Sequence, residues 1–321
     1  MIARFCLVTL VAVSVMLVGA QAQAVLLLDL ADMVGGGDGT GTGTPNTGIN
    51  PRNGSQVVGI TSTNNPGTSN VYSTVAHPYI DGVFVPDGAV AGPAATQVTS
   101  TGLTTNFPNT DGQSWENGMG YNAGCCGGQL RIGGVVTNMF AAPHSGIGFH
   151  SNKGITFDLD AIRAATGLLP TRYTAWTDVR AGAGGNADID HFVLLDGAIV
   201  AQSLNMTDDG SNARFFDVPI SHGDRFLTLV GTNGADGNYS FDQGIIGDPT
   251  LTAVPEPSTV LIWSVLGIGV ALGLGQHRRA QRRRAVRMPW SPDRREAVLG
   301  AVQRRLHSPP RGDWTEIDSP W

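Results

Sequence analysis

Between Gln56 and Thr252 the chain is a succession of short apolar or alternating runs, and this pattern restricts the fold more than any other feature. Turn residues, mostly glycine, asparagine, aspartate and proline, separate the runs. A strand with one apolar face must bury that face against another layer, so many short strands with few helices indicate a sandwich or jelly roll. No repeat of fixed period points to a propeller or a solenoid. We therefore expect one all-β domain over residues 56–252.

The apolar runs and the turn residues between them locate the expected elements. One short helix is predicted over Leu159–Thr166, where Gly167 ends it. A tight hairpin turn is predicted at Asp196-Gly197, because glycine adopts the positive φ that such a turn needs. The expected strands are Val57–Thr61, Val71–Val75, Gly82–Val85, Gln97–Ser100, Gly146–His150, Gly154–Leu159, Arg172–Val179, Asp190–Leu195, Ala198–Ser203, Ala213–Val218 and Arg225–Gly231.

The first 55 residues predict an export signal followed by a flexible segment. In residues 1–24, Arg4 supplies a positive charge, Phe5–Val18 is apolar, and small residues near Ala24 form a cleavage site, as in a secretory signal peptide. Residues 25–55 follow, and Gly35–Gly54 is rich in glycine, threonine, asparagine and proline. This composition predicts a flexible segment or a long loop.

A block of three parts, residues 253–284, follows the expected domain. Pro255-Glu256-Pro257 precedes an uncharged apolar run, Thr259–Gly275, whose 17 residues would span about 25 Å as a helix. The prolines would mark the start of a transmembrane helix over 259–275, and arginines after it would stay cytoplasmic. The remaining residues, 285–321, predict a basic, disordered tail. The arginine cluster comprises Arg278, Arg279, Arg282, Arg283 and Arg284.

The order of proline motif, apolar run and arginine cluster resembles the PEP-CTERM sorting signal of Gram-negative bacteria that make extracellular polysaccharide. In that family an exosortase, a membrane cysteine transpeptidase, recognises the Pro-Glu-Pro tripeptide. The resemblance implies an exported protein that passes through or stays anchored in the inner membrane before it reaches the cell surface or extracellular matrix. An ordinary C-terminal membrane anchor is the alternative.

Charge separates the chain into an acidic and a basic part. Val25–Val254 carries 8 Lys and Arg against 20 Asp and Glu, a formal charge of −12, whereas Gln276–Trp321 carries 11 against 5, or +6. An acidic exported domain repels phosphates, so no nucleic acid partner is expected. The split also supports a topology in which the apolar run divides an outer domain from an inner tail.

The sequence leaves open the oxidation state of the cysteines and the role of the clustered aspartates. After signal cleavage only Cys125 and Cys126 remain, either as a strained disulfide between neighbours or as two separate thiols. The spacing of the aspartates predicts no cofactor, because they could supply oxygen ligands to Ca²⁺ but do not match the twelve-residue calcium loop. These aspartates are Asp188, Asp190, Asp208, Asp209, Asp236 and Asp242.

Five pieces of residues 148–252 follow the order of a small β module. They are Gly148–Leu159 as a first strand pair, Tyr173–Val179 as a central strand ending in an acidic residue, Asp190–Gln202 as the following hairpin, and Phe226–Val230 and Asp236–Asp242 as the closing strand and its Asp-Gly loop. These pieces resemble the NPCBM family, carbohydrate-binding modules of galactose-binding-like jelly-roll fold. The family's usual tryptophan near the end is replaced here, since Asp242-Gln243-Gly244-Ile245-Ile246 keeps only the aspartate.

The resemblance implies noncatalytic binding of an extracellular polysaccharide and, because jelly rolls of this class often carry one, allows a structural Ca²⁺ as the single cofactor. A sugar module presents an aromatic face to the pyranose ring and carboxylates or amides to its hydroxyls, which selects Trp176, Asp178, Tyr239 and Asp242 as candidates. Trp176 could equally be a core residue. A structural matrix protein without a sugar site is the alternative. A glycoside hydrolase fits less well, because no catalytic spacing of carboxylates or histidines is present.

Overall fold

The structure is a computed structural model that describes residues 25–61, 64–65, 71–86, 95–110, 112–124, 126–208 and 213–256, with positions 267, 269–270, 274–275 and 277–278. The chain separates into two compact units, Met1–Val260 and Leu261–Trp321. Most described residues belong to the first unit. Its elements are β1 (Leu26–Asp29), α1 (Leu30–Val34), β2 (Thr47–Ile49), β3 (Gln56–Val58), β4 (Asn64–Asn65), β5 (Val71–His77), β6 (Ile80–Val85), β7 (Ala95–Gln97), β8 (Thr104–Asn106), β9 (Ser114–Trp115), β10 (Met119–Tyr121), β11 (Gln129–Ile132), β12 (Val135–Asn138), β13 (Gly146–His150), β14 (Lys153–Asp158), α2 (Leu159–Thr166), β15 (Leu168–Val179), β16 (Asp188–Leu195), β17 (Ala198–Thr207), β18 (Arg214–Pro219), β19 (Phe226–Asn233) and β20 (Gln243–Pro255).

Two antiparallel sheets enclose the main core and confirm the predicted sandwich. The eight-stranded sheet has the order β18-β15-β20-β13-β10-β2-β3, with β1 paired to β20, and the six-stranded sheet has the order β17-β16-β19-β14-β6-β5. Apolar side chains from both sheets meet in one buried cluster that includes Tyr173 and Ile246 from the larger sheet and Phe157 and Leu229 from the smaller. Burial of these alternating faces is what stabilises the sandwich.

The predicted helix and hairpin are confirmed. Helix α2 begins after Asp158, whose carboxylate accepts a hydrogen bond from Ala161 N at 2.9 Å, and ends at Gly167, at φ 66°. The hairpin between β16 and β17 turns at Asp196-Gly197, both at positive φ. Strand β13 has the predicted bounds, whereas the predicted strand Gln97–Ser100 is wrong because β7 ends at Gln97.

The sequence did not predict β20, which is 13 residues long and lies inside the larger sheet. It pairs with β15 along one edge, and with β13 and then β1 along the other. Gly247-Asp248-Pro249 has the composition of a turn, but here Asp248 lies at φ 48° in the gap between β13 and β1. Its N–H donates to Ser145 O at 2.7 Å, so these turn residues interrupt the pairing without ending the strand.

The prediction that residues 25–55 form a flexible segment outside the sandwich is corrected by the structure. Strand β1 extends the larger sheet, and Leu28, Leu30 and Met33 are fully buried in the core. The glycine-rich residues that follow are held by Asp32, whose carboxylate accepts from Gly39 N at 2.8 Å and Gly43 N at 2.6 Å. The apolar run before the glycines therefore anchors the segment, and the domain begins near residue 25.

The predicted signal peptide, residues 1–24, and the predicted tail, residues 285–321, lie outside the described residues. The predicted transmembrane helix 259–275 is described only at Gly267, Gly269, Val270, Leu274 and Gly275, which are helical. Within the described part of the chain, no helix is both long and apolar enough to cross a bilayer.

Candidate functional site

The turn between β13 and β14 meets the loop between β19 and β20 beside the core. This loop, residues 234–242, is called the end loop below. Ser151 N donates to Asp242 O at 2.8 Å, and the rings of His150 and Tyr239 meet edge to face, with centroids 6.1 Å apart. Asn152 Oδ1 accepts from Asn233 N at 3.2 Å. Hydrogen bonds to the backbone therefore fix both the turn and the start and finish of the end loop.

Two buried aspartates hold the end loop. Asp242 is fully buried and its Oδ1 accepts from Asp188 N at 2.9 Å, while Oδ2 lies 3.4 Å from Ser151 Oγ. Asp188 Oδ2 accepts from Ala235 N at 2.9 Å. Burial raises the pKa of Asp242 to about 8, and burial raises the pKa of Asp188 as well. The Asp242 carboxyl is therefore protonated at neutral pH and acts within the fold, away from solvent.

The end loop presents an aromatic surface that the sequence did not single out. Phe241 is 52% exposed at φ 71°, and Gly184 lies against its ring, since a Cβ on Gly184 would be 3.6 Å from Phe241 Cδ1. Tyr239 is partly buried two residues earlier. Arg180 Nε donates to Gln243 Oε1 at 2.6 Å beside them. We call Tyr239, Phe241, Arg180 and Gln243 the loop surface.

Trp176 and Asp178 lie on β15 and alternate with Ala175 and Val179, which belong to the main core, and Asp178 is two residues before Arg180 of the loop surface. Trp176 pairs with Phe215 of β18, with ring centroids 5.0 Å apart, and we call these two residues the strand surface. Trp176 also packs against a small apolar cluster that includes Leu130 of β11, Met139 after β12 and Ile245 of β20, so it is partly buried. Asp178 is buried and accepts a hydrogen bond from Val179 N at 2.8 Å. The structure therefore divides the four predicted sugar residues between two places.

A buried lysine lies beneath the β13–β14 turn. Lys153 is fully buried and its Nζ donates to Trp115 O at 2.5 Å and His150 O at 3.1 Å. Burial lowers the pKa of Lys153 to about 7 against the opposing effect of Glu116, and burial lowers the pKa of His150 to about 2. His150 is thus neutral, and Lys153 organises carbonyls of the turn. Trp115, another aromatic of the sequence, contributes its backbone to this cluster.

Neither cysteines nor acidic residues form a metal centre in the described part of the chain. Among those residues, no three His, Cys, Asp or Glu side chains lie close enough to hold a metal ion. Cys126 is disulfide-bonded, so it is not a free thiol. The chain's other cysteines, Cys6 and Cys125, lie outside the described residues.

Several solved structures are similar to part of the chain. A CBM51 module from Clostridium perfringens GH95, in complex with methyl-galactose, is 27% identical and covers 42% of this chain and 87% of its own, with a TM-score of 0.36. CBM51-2 with INT domains of Clostridium perfringens ZmpB, in complex with GlcNAc, is 17% identical over 55% of this chain and 42% of its own, with a TM-score of 0.37.

Tandem CBM51 modules of Sp3GH98, a family 98 glycoside hydrolase from Streptococcus pneumoniae SP3-BS71, are 18% identical over 39% of this chain and 35% of their own, with a TM-score of 0.31. No curated protein matches the chain.

The sequence resemblance is confirmed over a longer range than residues 148–252, because residues 103–252, from β8 through most of β20, match the family described as the NPCBM/NEW2 domain.

Proposed function

We propose that the protein is an exported, noncatalytic carbohydrate-binding protein whose partner is an extracellular polysaccharide. The NPCBM/NEW2 match supports carbohydrate binding by residues 103–252. The observation that carries the proposal is the exposed, backbone-constrained Phe241 within that region, next to Tyr239 and the ordered pair Arg180 and Gln243. An aromatic face beside fixed polar groups is the arrangement that a sugar ring and its hydroxyls require.

The loop surface is a better sugar site than the strand surface for two reasons. Phe241 is held at a positive φ, a conformation that costs energy for a bulky residue and occurs preferentially at functional sites. Trp176, by contrast, packs partly against the apolar cluster that includes Leu130, Met139 and Ile245. In this proposal Asp242 positions the end loop and Asp178 its own strand, while Tyr239 and Phe241 contact the sugar.

Binding can be tested on a glycan array and by pull-down with bacterial exopolysaccharide, using the full chain and two matched variants. Phe241→Ala should weaken binding about 10- to 100-fold, because burying a Phe side chain is worth about 1.5–3 kcal/mol. Phe215→Ala removes an aromatic of nearly equal exposure, 51% against 52%, from the strand surface and should leave the affinity unchanged. Both variants should keep the unfolding midpoint of the wild type.

The outcomes separate the competing functions. A folded chain that binds no glycan would contradict carbohydrate binding and favour a structural matrix protein. Loss of affinity in Phe215→Ala, but not in Phe241→Ala, would move the site to the strand surface. Release of reducing ends from the polysaccharide would contradict the noncatalytic role.

We further propose that an exosortase-type transpeptidase sorts the protein at Pro255-Glu256-Pro257 during passage through the inner membrane, to the cell surface or extracellular matrix. The motif directly adjoins the sandwich: Pro255 ends β20, and Glu256 N donates to Gly167 O at 3.2 Å. The disulfide at Cys126 fits an oxidising compartment. The intact mass of the protein from its native host tests this, and a mass that retains residues 285–321 would contradict processing.

A further inference from the structure

A groove of about 590 Å³ lies at the edges of the two sheets. The residues that line it are far in sequence from those of the loop surface. One side is formed by residues 36–42 and by β2 and β3, the latter the last strand of the larger sheet. The other side is formed by β5, the last strand of the smaller sheet, and its turn into β6. Every lining residue precedes the region that matches the NPCBM/NEW2 family. The volume is that of an ordinary small-ligand site.

Internal hydrogen bonds fix the loop that forms one wall of the groove. The buried carboxylate of Asp32 accepts from the N–H groups of Gly39 and Gly43, as described above. Asp38 Oδ1 accepts from Thr40 N at 3.0 Å and from Thr42 Oγ1 at 3.0 Å. A ligand therefore meets a wall that is already ordered, which lowers the entropic cost of binding.

His77 lines the groove on the side formed by β5 and its turn into β6. Its Nδ1 accepts from Tyr79 N at 3.2 Å. Burial lowers the pKa of His77, so the imidazole is neutral and contributes no positive charge. The rings of His77 and Tyr79 meet edge to face, with centroids 5.4 Å apart.

The lining selects a neutral ligand that has both hydroxyls and an apolar face. Among the residues that the structure describes, no lysine or arginine lines the groove and the one carboxylate in the lining is that of Asp38, whose pKa is lowered by hydrogen bonds from Thr40 and Thr42. The ionised carboxylate disfavours phosphates and acidic sugars. Hydroxyl and amide groups stand beside rings and aliphatic side chains: Thr42, Ser55, Gln56, Pro78, Tyr79, Val34, Ile49 and Val75.

We propose that this groove is a second carbohydrate site, which binds a neutral saccharide unit. Tyr79 and Pro78 offer the apolar face, and the exposed amide of Gln56 and the carboxylate of Asp38 meet the hydroxyls. The ligand class follows from this lining, independently of the loop surface. A second site would let one chain engage a polysaccharide at two points, and linked binding raises avidity beyond that of either site.

The test measures stoichiometry and affinity by equilibrium dialysis of the full chain with galactose, N-acetylglucosamine, glucose and mannose, and with glucuronate as an acidic comparison. The wild type should bind two molecules of a neutral sugar per chain. Phe241→Ala should retain one, at the groove. In that background, Gln56→Ala should weaken the remaining binding about tenfold, through loss of the amide hydrogen bond.

Two further variants make the assignment specific. Val58→Ala lies on the same edge strand as Gln56, is 83% exposed, does not line the groove, and should change nothing. Asp38→Asn keeps Oδ1 as an acceptor and removes the negative charge, so glucuronate should begin to bind.

The outcomes distinguish this proposal from the first. If the Phe241→Ala chain binds no sugar while the wild type binds one, the groove proposal is overturned and the proposed function stands. If residual binding persists but Gln56→Ala and Asp38→Asn leave it unchanged, the second site lies elsewhere and the groove proposal also fails. If the wild type binds none of the sugars, both proposals fail.

Discussion

Replacing Asp242 by asparagine should change the pH dependence of stability in a defined direction. Asp242 is fully buried and its carboxyl has a pKa of about 8 in the folded protein, raised chiefly by burial from 3.8. Between these two values the folded protein holds a proton that the unfolded chain has released. The free energy of unfolding of the wild type must therefore fall with rising pH through this titration. Asparagine has the same shape and no such titration.

The size of the effect follows from the shift. Each pKa unit corresponds to about 1.4 kcal/mol, so the contribution of Asp242 should fall by about 4 kcal/mol between about pH 5 and about pH 8. The titrations of His150, His191 and Lys153 occur in both proteins and cancel in the difference. The free energy of unfolding of Asp242→Asn should therefore rise by about 4 kcal/mol relative to that of the wild type as the pH increases over this range. The two proteins should be closest in stability at the acidic end.

Urea unfolding of both full-length chains, followed by tryptophan fluorescence from about pH 5 to about pH 8, measures this difference. Ser240→Ala is the matched control, because Ser240 belongs to the same loop, is exposed and carries no titratable group, and its difference from the wild type should be nearly constant with pH. A pH-independent difference for Asp242→Asn would refute the reasoning. It would mean that the carboxyl titrates at its ordinary pKa and that water reaches it.

The core and the N-terminal segment provide further tests by the same unfolding measurement. Asp32→Ala should lower the free energy of unfolding by about 2–4 kcal/mol, because it leaves two glycine N–H groups without their buried acceptor; Asp38→Ala, at a partly exposed position, should cost much less. A small loss in Asp32→Ala would mean that the segment is not anchored as described. Gly231→Ala should cost about 1–3 kcal/mol, since its Cβ would come within 2.2 Å of the Phe149 ring, whereas Gly223→Ala, with open space around it, should be nearly neutral. Equal stability of the two glycine variants would contradict the close packing of the sheets.

Local chemistry in the sequence was sufficient for the elements that depend on neighbouring residues. Alternating apolar positions predicted most strands and the sandwich, and glycine placed both the hairpin at Asp196-Gly197 and the end of α2 at Gly167. Tyr239 was correctly expected in a loop, and its exposed companion Phe241 could have been noticed as an aromatic within the same Gly/Asn/Asp segment. These features succeed because φ preference and side-chain alternation act over a few residues.

Only the tertiary structure decided which residues lie inside. Gly247-Asp248-Pro249 has the composition of a turn, yet β20 continues through it because β13 and β1 occupy successive parts of one edge. Tertiary contacts also decide the burial of Asp242 and Asp32, acidic residues that the sequence gives no reason to bury. The fold encloses them because distant positions supply backbone N–H donors to their carboxylates. Burial and hydrogen-bond partners are sums over contacts between segments far apart in the chain, so the sequence by itself determined the kind of fold, and packing determined where its polar groups and surfaces lie.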